Sequence, residues 1–270
     1  MLIRQLGPVG DYTLIHEDEA LLVVDKSAGA AVNLRSRGKG EPRCITTQLQ
    51  STFGSDVLPA HRIDDEVGGL VAYARGKTAL DFLSGQIQSK TAERIYRGFA
   101  VVATEEEAER ITPLPLLRDP GGGLPDSFEV NYALAPDQHV AGRMHIYRKK
   151  GGRPAFTRFR VVEAFGRFVW FEARPETSRQ MQVQAHLSAI GAPVLNDRAH
   201  GLEEVKLLLS GLKRGYKGRS EEKPLIEGLA LQASGLKIRH PLSREEISFE
   251  TALPKSFEIA LRNLRKFSRR

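Results

Sequence analysis

The stretch HRIDDEVGGLVAYA, residues 61–74, decides how this chain is interpreted. A histidine, an arginine and acidic residues precede two glycines, and an apolar run begins at Leu70. This order predicts a turn that leads into a buried strand, with Asp64 on the turn and glycines that let a backbone or a ligand come close. A carboxylate beside Arg62 can stay ionised and act as a nucleophile or base. An aspartate before a strand also commonly bonds its own backbone, so this stretch alone leaves both interpretations open.

The same stretch resembles the core motif of the RluA-type family of RNA pseudouridine synthases, which reads His-Arg-Leu-Asp, two variable residues, then Thr-Ser-Gly-Leu. Two more segments are similar to motifs of this family, in the family's order. Residues 14–29, LIHEDEALLVVDKSAG, resemble its opening strand, which ends in Lys-Pro-x-Gly. Residues 177–187, TSRQMQVQAHL, followed by GAPV at 191–194, resemble Thr-Gly-Arg-x-His-Gln-Ile-Arg-x-His-Leu and its trailing Gly-x-Pro-Ile. The resemblance covers roughly residues 12–258.

The resemblance implies the pseudouridine synthase fold, an α+β fold in which helices flank a central mixed or antiparallel sheet with an active-site cleft. We expect a short tail over residues 1–11 and a single catalytic domain over residues 12–270, without the S4 domain that family members often carry. Apolar periodicity predicts strands at Leu21–Val24, Leu70–Ala74, Arg94–Val102 and Phe168–Ala173. It also predicts helices at 78–88 and at Pro254–Arg265. A further helix is predicted from Thr177, which can form a capping box with Gln180, to Gly191.

Two segments are predicted to form exposed structure. Met144–Tyr147 and Phe156–Val162 flank the basic run RKKGGR, so we predict a β-hairpin that presents Lys149 and Lys150 at its tip. Residues 105–138 alternate acidic, proline and glycine clusters, which predicts surface excursions there.

Composition excludes several classes of protein. Cys44 is the only cysteine, which excludes a disulfide framework and a thiolate zinc site. The seven histidines are scattered, and no apolar run is long enough to span a membrane. We therefore predict a cytoplasmic protein without a metal or a membrane anchor.

The charge is unevenly distributed along the chain. The whole chain carries a net charge of +7, but residues 1–140 carry −6, residues 141–219 carry +10 and residues 220–270 carry +3. A basic lobe of this kind favours a polyanionic partner bound through phosphate contacts. A solvated basic face gives the same composition, so charge alone leaves nucleic-acid binding open.

The resemblance also implies roles for individual residues. Pseudouridine formation breaks the C1′–N1 bond of a uridine and rejoins the base through C5, and no cofactor is expected because the product is an isomer. Asp64 would be the catalytic carboxylate, and Tyr96 would stack on the uracil and assist proton loss from C5. Leu70 and Val183 would be apolar walls of the pocket, or else ordinary core residues. The expected substrate contacts are His61, Arg62, Arg179, Gln184, Lys149 and Lys150, with a structural salt bridge as the alternative for Arg62.

Several positions depart from the family pattern. The Thr-Ser pair after the core motif is Val67-Gly68, and the histidine of the third motif is Met181. More seriously, the second arginine of that motif is Gln184. The family arginine is expected to pair with the catalytic carboxylate, whereas a glutamine brings a hydrogen bond but no charge.

Three functions are compatible with these patterns. The first is an isomerase, expected to be a monomer, that converts uridine in a stem-loop of ribosomal or transfer RNA, with phosphate clamps in the predicted hairpin and in the loop at residues 213–219. The second is a non-catalytic RNA-binding or folding factor on the same scaffold, which Gln184 and Val67 favour. The third, a glycosidic hydrolase using Asp64, lacks an evident second carboxylate, because Asp65 and Glu66 are too close in sequence to share a cleft with it.

Overall fold

The computed structural model describes residues 11–33, 44–147, 151–216 and 221–268. The chain separates into two compact units. Unit 1 comprises residues 1–95 and 232–251, and unit 2 comprises residues 96–231 and 252–270. The single domain expected over residues 12–270 stays a prediction, and most of the expected tail lies outside the described residues.

The elements alternate between strands and helices without a strict βαβ order. The strands are β1 (Tyr12–Glu17), β2 (Leu21–Lys26), β3 (Val57–Pro59), β4 (Gly68–Arg75), β5 (Glu93–Val101), β6 (Ser127–Asn131), β7 (Ala133–Pro136), β8 (Met144–Tyr147), β9 (Phe156–Phe165), β10 (Phe168–Pro175), β11 (Leu231–Arg239) and β12 (Glu246–Glu250). The helices are α1 (Ile45–Phe53), α2 (Lys77–Gln88), α3 (Glu105–Ile111), α4 (Gln182–Ala189), α5 (Leu209–Leu212) and α6 (Lys255–Phe267). The α+β class predicted from the sequence is confirmed.

In unit 1 the strand order is β1-β2-β4-β11, with β3 paired to β4 and β12 paired to β11. All pairs are antiparallel except β4 with β11. This parallel contact explains Gly69, which has φ +122°, because a Cβ there would lie 2.2 Å from the carbonyl oxygen of Ala233. The apolar residues of β2 and β4 pack with Leu83 of α2 into one core.

In unit 2 the antiparallel order is β5-β10-β9-β6. One face of this sheet is covered by α6, whose Phe257 ring lies 6.1 Å from that of Trp170 on β10. The other face is covered by α4, because Thr157 of β9 is hydrogen-bonded to His186 of that helix at 2.9 Å. The helix predicted at Pro254–Arg265 is confirmed as α6, and its buried Phe257, Leu261 and Leu264 face the sheet.

The predicted hairpin with a cationic tip is wrong. β8 pairs with β7 instead of β9, which joins Leu134 to Ile146 across the two strands. The difference arises at Gly152, one of the two glycines of the basic run, which lies against Leu134. Next to it, the backbones of Arg153 and Leu134 exchange two hydrogen bonds, at 2.8 and 2.9 Å. Arg153 therefore bridges to β7, and β9 does not pair with β8.

Two other expectations need correction. Residues 105–138 contain α3, β6 and β7, and α3 begins with a capping box between Thr104 and Glu107 that its acidic composition obscured. The helix predicted from Thr177 begins only at Gln182, because Met181 has φ +48° and Thr177 bonds the Gln182 side chain instead of a helix-end amide. Its predicted end at Gly191, which has φ +75°, is confirmed.

Candidate active site

Asp64 lies in unit 1 on the turn between β3 and β4. The turn is closed by the amide of Val67, which donates to the carbonyl oxygen of Asp64 at 3.0 Å. Asp64 is half-buried, and the buried Val67 anchors the turn directly before the strand begins at Gly68. The predicted order of turn and buried strand is therefore confirmed.

Lys26 fastens this turn to the end of β2. Its side chain is 1% exposed, and its Nζ donates to the carbonyl oxygens of Asp65 at 2.7 Å, Ala30 at 2.7 Å and Ser27 at 3.1 Å. The amide of Gly29 also donates to the Asp65 carbonyl, at 2.7 Å. Burial lowers the pKa of Lys26 to about 8, although the carboxylates of Asp65 and Asp64 favour its charged form. The ammonium group thus fixes the backbone next to Asp64.

His61 fastens the same turn to β4. Its Nε2 accepts a hydrogen bond from the amide of Ala72 at 3.1 Å. Burial, and secondarily the charge of Arg94, lower the pKa of His61 to about 3. The imidazole is therefore neutral at physiological pH, with its Nδ1 protonated and its acceptor nitrogen used by the backbone.

The other two predicted residues of unit 1 have different environments. Arg62 is exposed, so its guanidinium is available to an anionic ligand. Leu70 is 1% exposed and packs in the core of unit 1 with the apolar residues of β2 and α2. Its position fits the core role that the sequence left open.

Tyr96 lies in unit 2, half-buried on β5. It pairs with Ala173 of β10, which pairs with Phe159 of β9. Opposed residues share a face of a sheet, and Phe159 is two residues from Thr157, which contacts α4. Tyr96 therefore lies on the sheet face that α4 covers.

The segment that precedes α4 is organised around Gln182. Its Oε1 accepts from Thr177 Oγ1 at 2.9 Å and from the amide of Arg179 at 3.1 Å, while its Nε2 donates to Phe156 O and to Thr157 Oγ1. This network holds Arg179 half-buried, with its Nη1 donating to the Ser178 carbonyl at 2.9 Å. Burial, and then the neighbouring Arg153, lower the pKa of Arg179.

Gln184 and Val183 both lie in the buried first turn of α4. Val183 is 4% exposed and Gln184 is 1% exposed. The Gln184 Nε2 has no hydrogen-bond partner in the part of the chain that the structure describes. A buried amide that is left unpaired costs about 1–3 kcal/mol of stability.

Comparison with known proteins matches this chain to one enzyme family. The family model described as RNA pseudouridylate synthase matches residues 20–189. An RNA pseudouridine synthase from Synechocystis sp. is 28% identical over 262 residues, which cover 94% of this chain and 69% of the relative. Ribosomal large subunit pseudouridine synthase C from Vibrio cholerae is 25% identical over 261 residues, covering 95% and 70%.

The chain belongs to the RNA pseudouridylate synthase family. The resemblance found in the sequence is confirmed, and the protein is an isomerase that modifies RNA. Two solved structures show the same fold. Human RNA Pseudouridylate Synthase Domain Containing 4 matches with a TM-score of 0.63 at 21% identity, over 93% of this chain and 92% of that structure. Human RNA Pseudouridylate Synthase Domain Containing 1 matches with a TM-score of 0.61 at 18% identity, over 96% of both chains.

The structure divides the predicted site residues of this synthase between the two units. Unit 1 holds His61, Arg62, Asp64 and Leu70, and unit 2 holds Tyr96, Arg179, Val183 and Gln184. Lys149 and Lys150 lie outside the described residues. His186 of α4 is a structural histidine, because its two ring nitrogens lie 2.9 Å from Thr157 Oγ1 and 3.2 Å from the carbonyl oxygen of Tyr132.

Sequence reasoning missed the role of Lys26. A lysine at the end of a buried apolar strand was the available signal, since an ammonium there must find acceptors. Among the described residues no cluster of histidine, cysteine and carboxylate side chains could hold a metal ion, and no helix is long and apolar enough to cross a membrane.

Proposed function

We propose that this synthase converts uridine in structured ribosomal RNA to pseudouridine, with Asp64 as the catalytic carboxylate. The observation that carries this proposal is the anchoring of the Asp64 turn. Lys26 fixes its backbone on one side and the neutral His61 on the other. Two anchors on one short turn are what a carboxylate needs if it is to meet a reacting atom in a fixed position.

The chemistry requires one carboxylate near the sugar. Breaking the C1′–N1 bond develops positive charge on the ribose, which Asp64 would trap as a nucleophile or relieve as a base. The base then rotates and bonds to C1′ through C5, while the C5 proton is lost and N1 gains one. We assign Tyr96, by resemblance, to stacking on the uracil and assisting the loss of the C5 proton.

Substrate recognition is assigned to the basic part of the chain. Residues 141–219 carry a net charge of +10 and all fall within unit 2. Phosphate contacts from this region would hold the RNA while the target base is extruded from its stack. The name of the Vibrio relative, a ribosomal large subunit pseudouridine synthase, makes large-subunit ribosomal RNA the first substrate to test, ahead of transfer RNA.

The Gln184 amide is assigned to the complex with RNA. Gln184 stands at the motif position of the family arginine and its Nε2 is unpaired among the described residues, which supports this assignment. Because it brings no charge, it would stabilise a carboxylate or a uracil oxygen less than the family arginine does.

The experiment is tritium release from RNA. Large-subunit ribosomal RNA transcribed with [5-³H]uridine, and transfer RNA labelled in the same way, are incubated with the wild-type protein and with Asp64→Asn. The proposal requires release of tritium from ribosomal RNA by the wild type and none by the variant. If both proteins bind the RNA and neither releases tritium from either RNA, a binding factor replaces the proposal.

A further inference from the structure

The face of the unit 2 sheet opposite Tyr96 carries a cluster of arginines. Arg97 of β5 pairs with Glu172 of β10, which pairs with Arg160 of β9. Directly opposed residues share a face, and Arg97 follows Tyr96, so its side chain lies on the other side of the sheet. The cluster is therefore separate from the candidate active-site residues of this unit.

Glu172 organises the cluster. It is 3% exposed, and its two carboxylate oxygens pair with Arg174 at 2.9 Å, Arg97 at 3.3 Å and Arg160 at 3.4 Å. One carboxylate is therefore shared by three guanidinium groups. The shared partner also holds the arginines in a fixed arrangement, which lowers the entropy they lose when they bind a ligand.

Helix α6 extends the cluster into a groove of about 460 Å³. Arg97, Arg160, Arg262 and Arg265 line it together with only two glutamates, Glu172 and Glu258, and its apolar floor includes Trp170 and Leu261. Arg265 is held by Glu163, with Nε 2.9 Å from Oε2. Arg262 is exposed and has no ion-pair partner among the residues that the structure describes.

We propose that this groove binds backbone phosphates of the substrate RNA at a distance from the reacting uridine. Guanidinium groups match phosphate oxygens with paired hydrogen bonds, and an array with excess positive charge attracts successive phosphates of one strand. An apolar floor under the arginines also weakens solvent screening of their charges. The inference rests on the proposed RNA substrate, and it assigns the back of the unit 2 sheet to RNA binding and not to chemistry.

The test compares two double variants with equal loss of charge. Arg160→Gln with Arg262→Gln removes two groove charges and leaves Glu172 with two arginine partners. Arg110→Gln with Lys206→Gln removes two exposed charges of unit 2 that do not line the groove. Binding of labelled large-subunit ribosomal RNA is measured over a range of salt concentrations, circular dichroism checks folding, and single-turnover tritium release is followed at saturating RNA.

The groove variant is expected to bind RNA on the order of tenfold more weakly, with the slope of log Kd against log salt reduced by about 1.5, since each lost phosphate contact removes about 0.7–0.9. Its single-turnover rate should equal that of the wild type, and the control variant should bind within about threefold of it. If the two double variants bind RNA with equal affinity and equal salt dependence, the groove proposal is overturned. Tritium release by the wild type would still support the proposed function in that case. A wild type that neither binds nor modifies this RNA overturns both.

Discussion

The turn that carries Asp64 in unit 1 and the start of α4 in unit 2 differ in the buried polar side chains that hold them. In the first, Lys26 donates to three carbonyl oxygens and His61 accepts from the β4 backbone. In the second, Gln182 is saturated with hydrogen bonds, but its neighbour Gln184 keeps an unpaired buried amide. The first region is held by a buried ammonium group, whereas at position 184 the second has a neutral amide where the family motif has an arginine.

The largest effect is expected from Asp64→Asn. Because the change removes the only carboxylate assigned to the chemistry, tritium release should fall by a factor of at least about 10³ while RNA affinity stays within about threefold. The matched control is Glu66→Gln on the same turn, whose side chain is exposed. Loss of activity in both variants would show that the turn depends on its total charge and not on Asp64.

Lys26→Met tests whether the anchored turn is held as described. Three carbonyl oxygens lose a charged donor, so the free energy of unfolding should fall by about 3 kcal/mol and activity should fall with it. Chemical denaturation measures the first quantity. In the control Lys77→Met, which changes an exposed lysine paired with Asp81, the free energy of unfolding should change by less than about 0.5 kcal/mol. Equal stability of Lys26→Met and wild type would contradict the anchoring.

His61 predicts acid sensitivity of the same turn. Its pKa is about 3 in the folded protein and 6.5 in the unfolded chain, so its contribution to stability is complete above pH 6.5 and is lost as the pH falls towards 3. Between pH 6.5 and about 4 the wild type should lose on the order of 3 kcal/mol that His61→Gln does not lose. Free energies of unfolding measured across this pH range test the prediction. His139 is exposed, so the control His139→Gln should lose stability in parallel with the wild type.

Gln184→Met tests the start of α4 and has the smallest expected effect. The substitution removes the unpaired amide and keeps a similar volume, so the protein should become more stable by about 1 kcal/mol. Activity should move in the opposite direction, falling on the order of tenfold, because the donor assigned to the RNA complex is gone. A variant that is more stable and fully active would show that Gln184 is only a tolerated core residue.

Much of the fold and of the candidate site could be predicted from the sequence, and the wrong predictions have physical reasons. The Asp64 turn and β4 follow from a local order of polar, glycine and apolar residues. The pairing of β8 with β7 does not, because it depends on how Gly152 packs against Leu134, which are 18 positions apart. The anchoring of the Asp64 turn depends on the contact of Lys26 with the Asp65 carbonyl, 39 positions away, and the Glu172 cluster depends on Arg97 and Arg160 from other strands. No periodicity encodes such contacts.

The most direct test maps pseudouridine in the ribosomal and transfer RNA of the host. Cells that lack this gene are compared with cells complemented by the wild type or by Asp64→Asn. We predict that a site in large-subunit ribosomal RNA disappears on deletion and returns only with the wild type. A map unchanged by deletion, or a site that Asp64→Asn restores, would contradict it.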